Sequence, residues 1–123
     1  MRLKYVAAAL ALTLFGAAAV QASTLRVVVV QASDADAYVK AIEQGKALLK
    51  AKGSSATIRV WRARFAGNEA GSIVVSIEYP NLEVLAKDDA KMATDPELKA
   101  WLQGLDKVRK IVSDSIYNEL TGP

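Results

Sequence analysis

Two arginines and a glutamate recur at alternate positions along two neighbouring strand-like segments, and they carry most of the chemical potential of this chain. Thr57 to Phe65 and Ser72 to Tyr79 both alternate apolar with polar residues, and the turn-rich link Gly67-Asn68-Glu69-Ala70-Gly71 joins them, which predicts a β-hairpin. If Gly67 and Gly71 flank the turn symmetrically, Trp61, Ala63 and Phe65 pair with Ile77, Val75 and Ile73 on one apolar face. Val60, Arg62, Arg64, Val74, Ser76 and Glu78 then share the opposite face. A sheet face that mixes valines with charges calls for a cover, either a second copy of the sheet or a ligand held between two copies. On such a face the arginines suit an acidic group and Glu78 is the available carboxylate base. The plainer alternative is a wet Arg62–Glu78 ion pair, worth little.

Other chemistry is removed by composition. The chain contains no histidine and no cysteine, so it lacks the usual near-neutral base, the commonest transition-metal ligand and any thiolate. No metal, haem or other cofactor is expected, and no disulfide. The Gly67 to Gly71 link has neither P-loop nor dinucleotide-fold spacing. Asp34/Asp36 read as helix-start charge and Asp88/Asp89 as a solvated helix face, because adjacent or alternate positions on a helix do not face one another. Trp101, at helical spacing with Leu98 and Leu105, reads as core.

The chain opens with Arg2 and Lys4, runs through weakly polar and apolar residues from Tyr5 to Val20, and closes on Val20-Gln21-Ala22. This is the order of a secretory signal peptide, shorter than the roughly 20 apolar residues that span a bilayer. Residues 1–22 are therefore expected to be removed, leaving a single domain over 23–123, exported to a periplasmic or secreted location with no stable membrane anchor. Loss of Arg2 and Lys4 takes the balance from 16 Lys+Arg against 13 Asp+Glu to 14 against 13. With its charges interspersed, the domain is not expected to bind nucleic acid.

Within that domain, the β-branched run Leu25 to Ala32 suits a central strand. Ser33 and Asp36 signal a helix start, and Ala35, Tyr38, Ile42, Gly45 and Leu49 mark one helical face up to Lys52, with Gly53 as terminator. After the hairpin, Pro80-Asn81 opens a second helix, which breaks near Ala93 and restarts at Thr94-Asp95-Pro96-Glu97. Val108 to Leu120 fits a strand through Val112, Asp114 and Ile116, although Leu105, Val108, Val112 and Ser115 also continue a helical stripe.

Strand, helix, strand, strand, helix, strand is the ferredoxin-like α+β order βαββαβ, an antiparallel sheet with its helices on one face. The stretch Gly71-Ser-Ile-Val-Val-Ser-Ile-Glu-Tyr-Pro-Asn-Leu-Glu-Val-Leu-Ala86, followed by Thr94-Asp-Pro-Glu97, resembles the second half of dimeric α+β barrel proteins. That superfamily includes antibiotic-biosynthesis monooxygenase-like and NIPSNAP-like domains. The resemblance implies the fold and a homodimer formed through the sheet, but no single reaction, since the superfamily hosts haem degradation, cofactor-free oxygenation and chlorite chemistry. Two functions are compatible with it: a non-catalytic exported homodimer that binds a small or anionic molecule between its sheets, or a cofactor-independent monooxygenase-like enzyme with Trp61, Asn68 or Tyr79 near its cavity. The missing histidine favours the first. Intact mass of protein recovered from the cell envelope should match a chain beginning at Ser23; a full-length cytoplasmic product would contradict the export reading.

Overall fold

The computed structural model describes residues 22–64 and 67–121, apart from the side chain of Glu69. Residues 1–21 of the expected signal segment, and Phe65 of the expected hairpin, lie outside the described residues.

Thr24–Gln31 forms the first strand, β1, and its four consecutive valines are the reason it sits inside the sheet. It pairs antiparallel with Ile73–Tyr79 (β3) on one side and with Lys110–Asn118 (β4) on the other. Thr57–Arg62 (β2) pairs antiparallel with β3, giving the order β2-β3-β1-β4. Val108 to Leu120 thus contains a strand, and a register shift opposite Val29/Val30 bends its pairing with β1.

Three helices cover one face. Ala35–Ala51 (α1) is capped by Asp34, whose carboxylate accepts from the Ala37 amide at 3.0 Å, one residue beyond the Ser33 anticipated from the sequence. Its buried residues are Tyr38, Ile42, Gly45 and Leu49, as the spacing predicts. The helix ends before Gly53, whose φ of 86° falls in the left-handed region open to glycine. Leu82–Thr94 (α2) is capped by Asn81, and Pro96–Asp106 (α3) by Asp95, whose side chain accepts from the amides of Glu97 and Leu98. The break between α2 and α3 therefore falls at Asp95. This is an α+β ferredoxin-like fold. Among the described residues no helix is long and apolar enough to cross a membrane.

The core lies between helices and sheet. Val28, Val30, Ile58, Ile73 and Val75 from the strands meet Tyr38, Ile42, Leu49, Leu98 and Leu105 from α1 and α3. Each such side chain contributes roughly 1.5–3 kcal/mol through its removal from water. Trp101 on α3 packs against this cluster, and its indole N–H donates to the Ala41 carbonyl at 2.9 Å, tying α3 to α1. The contact needs Gly45, because a Cβ at that position would collide with the indole ring. In a free helix Gly45→Ala would be favourable by about 1 kcal/mol. Here overpacking against a flat, partly buried ring costs about 1–3 kcal/mol, so urea unfolding should show a net loss of stability together with altered Trp101 fluorescence.

Candidate functional site

The register arranges the helix-free face in rows across the four strands. Trp61, Val74, Val29 and Ser113 form one row, Arg59, Ser76, Val27 and Ser115 the next, and Thr57, Glu78, Leu25 and Tyr117 the third. Val74, Ser76 and Glu78 stand where the sequence places them. Val60 and Arg62 do not: Val60 is opposite Val75 and packs against the core, and Arg62 is opposite Ile73. Trp61 pairs with Val74 rather than Ile77, a slip of three residues from the symmetric hairpin, and an odd slip sends every side chain of the strand to the other face.

The turn causes the slip. Ala63 is held by Ser72 and Gly71 through backbone hydrogen bonds of 2.9 and 2.7 Å, and Gly67–Glu69 forms a single 3₁₀ turn, so the loop is not centred between the two glycines. Arg64 follows the end of β2 as an exposed bend residue. Arg62 donates to the Gly71 carbonyl at 3.4 Å and forms no ion pair with Glu78. Arg59 and Trp61 take the positions expected of Arg62 and Arg64, and the Trp61 indole donates to Ser76 Oγ at 2.8 Å. A shallow depression of about 590 Å³ lies on this face between Trp61 and Tyr117.

A second space, of about 420 Å³, lies between the helices and the sheet. Val28, Ile58, Val75, Ile77, Leu102 and Leu105 are among its apolar walls. Its charged lining residues are Arg26, Asp89, Asp106, Arg109 and Asp114, which retain solvent exposure and form the rim. Arg26 projects from β1 toward the helices and donates from Nε and Nη2 to both oxygens of Asp114 on β4, at 2.9 and 2.7 Å. Its Nη1 donates to Asp89 on α2 at 2.9 Å. Arg109 donates to Asp106 and, at 3.3 Å, to the Tyr38 hydroxyl.

Asp88 and Asp89, expected on a solvated helix face, are both engaged. Asp88 is buried and accepts from the Ser54 hydroxyl, while Asp89 meets Arg26. The missed signal was spacing, because Asp88 falls three residues after Leu85 and four before Met92 on the inner stripe of α2. Among the described residues no group of three or more acidic side chains is arranged to hold a metal ion. Tyr79, at the end of β3, is 1% exposed and lines the cavity, and among the described residues its hydroxyl makes no hydrogen bond. Burial, with Asp88 and Asp89 nearby, pushes its pKa up to about 12.

No protein-family model matches the chain, and no curated protein matches it. Solved structures do. A NIPSNAP family protein from Agrobacterium tumefaciens aligns with TM-score 0.59 at 16% identity, over 80% of this chain and 90% of its own. SnoaB, a cofactor-independent oxygenase from Streptomyces nogalater, aligns with TM-score 0.60 at 9% identity, over 79% of this chain and 91% of its own. A NIPSNAP-like domain protein from Burkholderia xenovorans gives 0.59 at 13% identity, over 83% and 88%. The chain shares the fold of these proteins. At such identities the likeness speaks for the fold alone, and the chemistry has to come from this chain's own residues.

The Arg26 hydrogen bonds hold the Asp114 carboxyl below the ordinary carboxylate range, against the opposing effect of burial. A carboxylate with a lowered folded pKa contributes stability that is present above about pH 4 and lost as the pH falls through the folded value. Thermal melts of Asp114→Asn should therefore lose less stability than wild type as the pH falls below about 4; parallel curves would show that the Arg26–Asp114 pair does not contribute.

Proposed function

We propose that the chain is an exported, non-catalytic protein that binds a small molecule and acts as a homodimer through its helix-free sheet face. The observation that supports ligand binding most strongly is the apolar cavity between helices and sheet, with the unpartnered Tyr79 hydroxyl in its wall. Its volume of about 420 Å³ falls within the range of small-molecule pockets, roughly 300–1,000 Å³. This moves the proposed ligand from between the sheets of two copies to the interior of each copy.

Homodimerisation is supported by the rows on the open face. Val27, Val74 and Leu25 are only partly covered there, Trp61 is 52% exposed, and Arg59 and Glu78 put opposite charges on the same surface. A self-complementary face of this kind gains about 25 cal/mol for each Å² of apolar surface it covers. The oxygenase reading needs a base beside the substrate. Glu78 lies on the open face, outside the cavity, and the rim aspartates are paired with arginines. A Tyr79 hydroxyl pushed to about 12 is undissociated near neutrality and serves as a donor rather than a base.

Sedimentation velocity and native mass spectrometry of the purified protein test both parts. Wild type should be a dimer at micromolar concentration, and Val74→Asp, which places a charge in the contact, should be a folded monomer. A small molecule should be retained by both forms, because the cavity is internal to each copy. A monomeric wild type would overturn the dimer, and oxygen consumption with any retained compound would overturn the non-catalytic reading.

A further inference from the structure

The polar groups around the cavity differ in how far they are already satisfied. Three nitrogens of Arg26 donate to Asp114 and Asp89, and Arg109 donates to Asp106 and the Tyr38 hydroxyl. Two guanidiniums thus face three carboxylates around the rim, so each cation is neutralised before a ligand arrives and the lining carries a net negative charge. The Tyr79 hydroxyl is the opposite case. It is largely buried, undissociated, and makes no hydrogen bond among the described residues, so it is not sealed from solvent: no fully buried side-chain oxygen or nitrogen there is left without a partner.

An anionic ligand in this cavity would have to displace an aspartate from Arg26 or sit desolvated beside like charges, and both are costly. A neutral oxygen meets neither obstacle. It can accept a hydrogen bond from Tyr79 while the hydrocarbon attached to it covers the aliphatic walls. We propose that the cavity selects an uncharged molecule, an apolar body bearing a hydroxyl or carbonyl oxygen that hydrogen-bonds to the Tyr79 hydroxyl, and that it discriminates against anions. This rests on the ligand-binding reading above, and it replaces the acidic ligand that paired arginines on one sheet face would have suggested.

A head-group series on a common ten-carbon chain tests it. The purified protein is titrated calorimetrically at pH 7 with 1-decanol and decanoate, each below its solubility limit or critical micelle concentration. Decanol should bind about tenfold more tightly than decanoate. Tyr79→Phe should weaken decanol binding by about five- to tenfold and leave decanoate unchanged. Asp89→Asn, which removes one of the carboxylate charges beside Arg26, should strengthen decanoate binding severalfold and leave decanol as it was. Decanoate binding as tightly as decanol would overturn the selection. So would a folded Tyr79→Phe protein with wild-type decanol affinity, or an Asp89→Asn protein with unchanged decanoate affinity. If Tyr79→Phe fails to fold, the head-group series on wild type and Asp89→Asn decides alone. If neither probe binds wild type, the ligand-binding reading itself fails, an outcome distinct from loss of selectivity between probes that do bind.

Discussion

β1 is paired along both edges and apolar on both faces, and the rest of the domain is organised around that constraint. Its inward valines, Val28 and Val30, are covered by α1 and α3, while Val27 and Val29 point to the face without helices. Side chains alternate along a strand, so a run of four valines cannot present all its apolar surface to one layer. One layer is supplied by the chain itself. The other face keeps partly covered valine and leucine beside an exposed tryptophan, which is the physical basis of the proposed pairing between copies.

The one charge within that strand, Arg26, shapes the interior. A guanidinium beside the core must be paired, and the partners it finds are Asp114 on the neighbouring strand and Asp89 on α2. α2 buries only Leu85 and Asp88, whereas α1 and α3 are drawn together by the indole of Trp101 against Gly45. Close packing on one side and sparse packing under α2 leave the space that Tyr79 and the rim charges line. The same arrangement accounts for the charge of that rim, since each arginine there was recruited with carboxylates of its own.

The hairpin shows how a correct local reading can place side chains wrongly. Thr57 to Ala63 offers two apolar alternations, Ile58 with Val60 and Trp61 with Ala63, and they lie on opposite faces. The strand and its partner are legible from composition, but the parity is not, because it depends on how many residues the turn absorbs. The backbone bonds from Ala63 to Gly71 and Ser72 close the hairpin earlier than its glycines suggest. Val74, Ser76 and Glu78 keep their face because β3 is locked against β1, whereas the edge strand β2 turns over.

The sequence by itself determined the order of the elements and the kinds of all but the last, the buried stripe Tyr38, Ile42, Gly45 and Leu49, a helix break near Ala93 and the lack of imidazole and thiol chemistry. These arise from local periodicity, capping and composition, which need no knowledge of distant partners. Tertiary structure alone decided that Thr57, Arg59 and Trp61 take the places expected of Val60, Arg62 and Arg64 on the open face. It alone brought Arg26, Asp89 and Asp114 together across separations of 63 and 88 residues. Pairing at such range is fixed by sheet order and helix packing acting together, and no spacing within a single segment encodes it.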